Sequence, residues 1–591
     1  MMAKINVRAI LSAIMVVGIS LFFLYIRIPR TPPFSAQMVG AVFAVSAFIF
    51  LISAPCFYFV FKMLLGKFIG LLFLVFYVLL SVFPYKIFYG PEINLNSMFF
   101  YPVPRTALGI GGCWIVIFYF VASFAVACGY WFHKTGRFFP AIEKRKAIIV
   151  CALLLAVLVQ VCPRLGKNSP KSMLANTRKA ETAKFGPTVK FYGFETGGFD
   201  LWQHIGPSGM FKGDFRKCNG LINRRGLGPY CYSLVSTYFH PYYAAIIVNG
   251  VFYFMIVISG YLLAKHLGLS ESASILCAIL LAANYHILFY TISPYFYILY
   301  STFIIVIVLL LYRMRLFERP MNVGEQLLFC SVLACGGLTY DPYVFAGIVF
   351  LWGLFYAFRK ENRQRGRFLR IAAHTAVFAA IPMLSQKAWE MLLQAYNLQG
   401  GDLNIQSRTD LFSRLLQIPG QIYMHFWDYG ALISRNIIRI VVENPILPAR
   451  DLLKDSAPEV SAIFENSIEY WSLLGLLGVI SFFVWLPRYI NKEHRGGLYA
   501  CYVSNLSISL ISSLAAAIPP LMTYGWMFLS PSRTNNAYPV LILAQGIGIY
   551  HITNFCCCKL GIGKRTEVAV IVVGVCVYLL SFVQLCFGLP V

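Results

Sequence analysis

The most restrictive feature of this chain is the recurrence of apolar runs about twenty residues long, separated by short basic segments. A run of that length matches the hydrocarbon thickness of a bilayer. Within lipid the backbone must satisfy its own hydrogen bonds, in helices or in a closed barrel. The runs are too long and too uniformly apolar for barrel strands, which alternate over about ten residues. The expected fold class is therefore all-α, a polytopic transmembrane helical bundle of about 13–15 spans. Only 12% of the 591 residues are charged and 59% are hydrophobic, against about a quarter charged in soluble domains. A soluble enzyme, a disordered chain and a secreted disulfide scaffold are excluded.

Candidate spans fall at 9–26, 37–61, 68–84, 108–131, 147–163, 239–264, 272–290, 295–312, 326–340, 343–358, 371–387, 471–487, 498–517, 537–555 and 568–588. With the N-terminus cytoplasmic, twenty-five Lys and Arg lie in the inner segments and five (Arg27, Arg30, Lys86, Arg105, Arg533) in the short outer ones. Short loops obey the positive-inside rule, so this split fixes the orientation. Two long segments, 164–238 and 388–470, then face outward. The net charge of +26 is thereby explained by topology, and no nucleic-acid partner is expected. The N-terminal run after Lys4 and Arg8 reads as a retained anchor, because it lacks a clear small-residue cleavage site. The spans hold almost no ionisable groups, which disfavours a coupled transporter or pump. Polar chemistry is expected at the outer membrane surface.

Residues 164–190 are basic and poor in large apolar groups. They read as a solvated tether or as an attractor of anionic head groups. In 191–238, Asp200 follows Gly197 and Gly198 and precedes Leu201, Trp202, Ile205, Met210 and Phe211, an interfacial pattern that holds a carboxylate beside the membrane. Such a carboxylate can accept a proton from an attacking hydroxyl.

Here the chain resembles the multispanning GT-C glycosyltransferases that use polyprenyl-phosphate sugars, such as protein mannosyltransferases and lipid A aminoarabinose transferases. The resemblance is carried by Asp200, the segment Leu201–Met210, Gly213-Asp214-Phe215, and the stretch from Asn219-Gly220-Leu221 to Gly228-Pro229-Tyr230. TISPYFYILY (Thr291 to Tyr300) resembles a joint between two spans, and GGLTYDPY (Gly336 to Tyr343) a turn that in the family bears lysine where Tyr340-Asp341 stands here. Arg533 followed by Tyr538-Pro539 resembles the start of a late span. The match is good over about 147–360 and loose elsewhere. It implies a GT-C-like bundle with two long extracytoplasmic loops. The implied divisions are a four-span extension (1–146), a transmembrane core with the first outer loop (147–387), a second outer loop (388–470) and C-terminal spans (471–591).

The resemblance implies a general-base carboxylate, and Asp200 is the position that matches. The family often pairs two acids, but Leu201 follows Asp200, so Asp214 or Glu195 would supply a second. For each the alternative is ordinary: Asp200 as a loop residue or helix N-cap, Asp214 as a turn residue. Arg224, Arg225 and Arg533 offer planar donors to a phosphate, or snorkel at the head groups. Lys387 could act likewise or anchor its span. Asp341, Trp202 and Tyr538 complete the substrate-binding candidates. His204, His240 and His286 lie near the outer face without metal-ligand spacing. No metal residue is assigned, and the one cofactor kept open is a divalent cation (Mg or Mn) held by Asp and phosphate.

Cys218 and Cys231 can form a disulfide clasp in an oxidising compartment, or stay as two thiols. Cys556, Cys557 and Cys558 read as an acylation site or an apolar cluster. The sequon at Asn505 lies inside a span and is no evidence of glycosylation. In the second outer loop, 408–429 reads as a surface-lying helix, and Trp389, Trp427 and Trp471 as sugar platforms or interface anchors. The expected function is transfer of a sugar from a polyprenyl-phosphate donor to a lipid, glycan or protein acceptor on the extracytoplasmic side. The expected place is a bacterial inner membrane facing the periplasm, with the endoplasmic reticulum as the other topology-compatible home. Rival readings are a polysaccharide polymerase or O-antigen ligase, and a lipid-linked-glycan flippase, which should show two related halves and polar spans.

Overall fold

The computed structural model describes residues 7–27, 35–82, 108–137, 144–165, 188–191, 194–197, 206–212, 225–236, 241–284, 297–314, 321–339, 342–358, 365–398 and 538–587, with a few single positions between them. These residues form a helical bundle. Its helices are α1 (Val7–Arg27), α2 (Ala36–Leu65), α3 (Lys67–Val82), α4 (Leu108–Thr135), α5 (Lys144–Leu165), α6 (Leu227–Val235), α7 (Pro241–His266), α8 (Glu271–Ala282), α9 (Tyr297–Arg313), α10 (Val323–Gly337), α11 (Pro342–Ala357), α12 (Arg365–Ala395), α13 (Tyr538–Lys559) and α14 (Thr566–Phe587). Twelve of the expected spans coincide with helices, 272–290 does so over its first part, and 471–487 (Val484 apart) and 498–517 lie outside the described residues. Three helices are long and apolar enough by themselves to cross a membrane, over Ala36–Leu65, Ala244–His266 and Gly366–Ala395.

The bundle's outer surface carries many large apolar side chains. Ile14, Phe118, Phe120, Val121, Val377 and Leu384 all stand exposed. Water would penalise that surface and lipid would not. The chain is an integral membrane protein.

The core is continuous from α2 to α14. Helix α9 lies at its centre, with every residue from Ile298 to Tyr312 buried. It is flanked by α7 and α10, while α8 packs against α7, α13 and α14. Helix α2, in the expected N-terminal extension, packs against α10 and α12 and shares their core.

Close crossings rest on small residues, as is usual where lipid offers no drive for helix association. Gly337 of α10 backs onto Pro382 of α12, and a Cβ there would stand 2.8 Å from the Pro382 Cα. Ser385 Oγ donates to Ala334 O at 3.1 Å across the same joint.

Two inter-helix loops, 265–271 and 319–325, are pinned by charge. Lys265 Nζ meets Glu271 Oε2 at 2.8 Å, and Tyr261 donates to the other carboxylate oxygen at 2.5 Å. Asn322 and Glu325 form a reciprocal capping box at the start of α10. Arg319 binds the same Glu325 with both terminal nitrogens, at 3.0 and 2.5 Å.

Two expectations need correction. The 272–290 run is not one helix. Helix α8 ends at Ala282, and Asn284 accepts from Ile287 N at 3.0 Å, restarting the chain as an N-cap does. Residues 388–395, expected to begin the second outer loop, continue α12, which at 31 residues extends about 46 Å. The long 164–238 segment carries a short ribbon. Strands β1 (Thr188–Phe191) and β2 (Phe194–Gly197) pair antiparallel as a two-stranded ribbon.

Candidate functional site

Two pieces of the long 164–238 segment, Gly206–Lys212 and Leu227–Val235, pack into the bundle. A 3-10 helix over Gly206–Lys212 buries Ser208, Met210 and Phe211. The interfacial reading of Met210 and Phe211 is therefore corrected. Phe211 packs edge-on to Tyr230, with ring centroids 5.1 Å apart, and stacks on Trp389 at 6.3 Å. Helix α6 follows, with Leu227 to Leu234 all buried.

An N-terminal helix turn leaves backbone donors without partners, and a C-terminal turn leaves acceptors. Gly226, at the start of α6, makes no side-chain cap. Leu227 N instead donates to the carbonyl of Leu338 at 3.2 Å, and Leu338 is the residue that closes α10. One helix end thus satisfies another. Within α6, the Tyr232 hydroxyl donates to Asn249 Oδ1 of α7 at 2.8 Å.

Trp389 of α12 clamps the loop from the other side. It is fully buried, and its Nε1 donates to Ile222 O at 2.7 Å. Its ring lies so close to the Gly226 backbone that a Cβ there would stand 2.8 Å from Cε2. Only glycine fits that approach without displacing the ring. Trp389 is thus a brace, and the sugar-platform and interface-anchor readings are corrected. Trp427 and Trp471 lie outside the described residues.

Arg225 stands between these two anchors. It is partly exposed, and its guanidinium carbon lies 5.4 Å from the ring centroid of Tyr297, the first residue of α9. A guanidinium over an aromatic face is held there by the ring's quadrupole. Three segments far apart in sequence therefore meet at one end of the bundle. They are the stretch ending at Tyr230, the run from Thr291 to Tyr300, and the turn from Gly336.

The remaining candidates are less gathered. Glu195 lies in β2, directly opposite Lys190 in the ribbon register. Tyr538 is the first residue of α13, which packs on α8 and α14. Asp200, Trp202, Asp214, Arg224, Asp341 and Arg533 lie outside the described residues, as do His204, His240 and His286. Among the described residues no group of three His, Cys, Asp or Glu could hold a metal ion. Lys387 is paired with Glu390 at 3.8 Å on an exposed face. Cys231 is a free thiol inside α6, so the clasp to Cys218 is not formed. Burial pushes that thiol's pKa up, which suppresses the thiolate that disulfide exchange needs.

Two residues of the joint were not singled out from sequence. Tyr297 sits inside a motif but carries no charge to draw notice, and Ile222 contributes only a carbonyl. The available signal was an aromatic at a span start matched to an arginine in the facing loop.

No family model matches the sequence, and no curated protein matches it. Among solved structures, the chain is similar to the archaeal oligosaccharyltransferase AglB from Archaeoglobus fulgidus, determined in complex with an inhibitory peptide and a dolichol-phosphate. The identity is 11% and the TM-score 0.41, over 75% of this chain and 56% of that one. The chain thus matches little more than half the length of that protein.

Proposed function

We propose that the protein is an integral-membrane glycosyltransferase that moves a sugar from a polyprenyl-phosphate donor to an acceptor on the extracytoplasmic side. The observation that carries this reading is the meeting of three family-like segments around Arg225, with the guanidinium 5.4 Å from the Tyr297 ring. A lipid phosphate needs an apolar wall for its chain and a fixed cation for its head. A partly exposed arginine at the end of a lipid-facing bundle offers both.

In this reading Asp200 takes the proton of the acceptor hydroxyl or amine. The freed electron pair attacks the anomeric carbon, the bond from that carbon to the phosphate oxygen breaks, and polyprenyl phosphate leaves with the electrons. A single displacement inverts the anomeric centre. Arg225, joined by Arg224 or Arg533, neutralises the departing phosphate, the kind of electrostatic term that supplies much of an enzyme's rate. Asp214 and Glu195 are the reserve carboxylates. Asp341, Trp202 and Tyr538 are assigned to substrate contacts.

A donor competition assay tests the reading against a polymerase or ligase. Purified protein should transfer sugar from a polyprenyl monophosphate sugar and resist competition by a polyprenyl diphosphate glycan. Preference for the diphosphate donor would overturn it.

A further inference from the structure

Helix α12 carries a polar side chain with no structural employment. Gln386 is fully buried, and among the described residues neither its Oε1 nor its Nε2 meets a hydrogen-bond partner. Leaving a buried amide unsatisfied costs on the order of 1–3 kcal/mol. Such an orphan at a functional joint calls for a ligand or a water.

Its position narrows the choice. Residues i−4 and i+3 share its helix face. They are Pro382, against which Gly337 packs, and Trp389, against which Gly226 packs. Ser385, the preceding residue, ties α12 to Ala334 of α10. Gln386 therefore lies on the face of α12 that carries both Pro382, at the α10 crossing, and Trp389, which holds the Arg225 loop. A carboxamide supplies two donors and an accepting oxygen. Phosphate oxygens accept and sugar hydroxyls both donate and accept, so a sugar phosphate ester satisfies both ends of the group where an apolar tail satisfies neither.

We infer that Gln386 is a further substrate-binding residue, its buried carboxamide hydrogen-bonding the sugar-phosphate head of the lipid donor. The inference rests on the proposed glycosyltransferase reading.

The test is Gln386→Met, which keeps the length and removes the polar atoms. Binding of a polyprenyl monophosphate mannose in detergent is measured by native mass spectrometry, alongside thermal unfolding. The expected result is at least tenfold weaker binding with an unchanged or higher Tm, since the unsatisfied amide is gone. Equal binding by Met variant and wild type would mean a buried water or structural residue and overturn the inference alone. Failure of the wild type to bind would overturn the glycosyltransferase reading and this inference together. If Gln386→Met does not fold, Gln386→Leu, which also removes the carboxamide, takes its place, and unchanged binding by that variant overturns the inference equally.

Discussion

Trp389 touches three separate pieces of chain at once: the Ile222 carbonyl, the Gly226 backbone and the rings of Phe48 and Phe211. Trp389→Phe keeps most of the ring stacking but strands the Ile222 carbonyl. The expected cost is about 1–3 kcal/mol of stability, read as a lower Tm in detergent. Arg225→Ala should lower Tm modestly, through loss of the guanidinium's contact with the Tyr297 ring. It should weaken lipid-phosphate binding by tenfold or more, measurable with a fluorescent polyprenyl phosphate. Arg225 was legible in sequence as a lone type of chemistry in an outer loop. The role of Trp389 was not, since its partner carbonyl lies 167 positions away and no local pattern encodes that pairing.

Between elements, the α10–α12 crossing depends on a residue without a side chain. Gly337→Ala should push α12 away from α10, with overpacking of about 1–3 kcal/mol, seen as a fall in Tm and in monodisperse yield. The inner caps predict a pH dependence. Lys265 and Tyr261 hold the Glu271 carboxyl below its ordinary range, and Arg319, with the Asn322 backbone, does the same for Glu325. A carboxyl depressed in the folded chain stabilises fully above its unfolded pKa of about 4.3. That contribution is lost as pH falls through the lower folded value. Tm should therefore hold from neutral pH to roughly pH 5 and fall below about pH 4.3, with a shallower fall in Glu271→Gln with Glu325→Gln. The helices themselves were legible from run length. The break at Asn284 was not, because an Asn within an apolar run becomes a cap only when its Oδ1 finds the Ile287 amide. The extension of α12 past 387 was hidden for the converse reason. Its last turns carry Lys387 and Glu390, which look like loop residues until they pair along the helix.

For the molecule as a whole, charge asymmetry sets an orientation that labelling can check. In a chain with its native cysteines replaced by serine, Lys190→Cys in β1 should react with a membrane-impermeant maleimide from outside. Arg137→Cys, just beyond α4, should react only after permeabilisation. The reverse pattern would put the first long loop in the cytosol. The membrane class and bundle were legible because hydrophobic length and basic asymmetry are additive along the chain. The site was legible only as scattered motifs, since which loop residue meets which helix end is fixed by packing between distant segments. Central to the proposed mechanism is an outer-side carboxylate that activates an acceptor against a lipid-phosphate sugar. The direct measurement is transfer of labelled sugar from a polyprenyl-phosphate donor by wild type and Asp200→Asn, with donor binding and Tm recorded for both. Transfer by the wild type alone, with binding and Tm equal, is the predicted result. Full transfer by Asp200→Asn would contradict it.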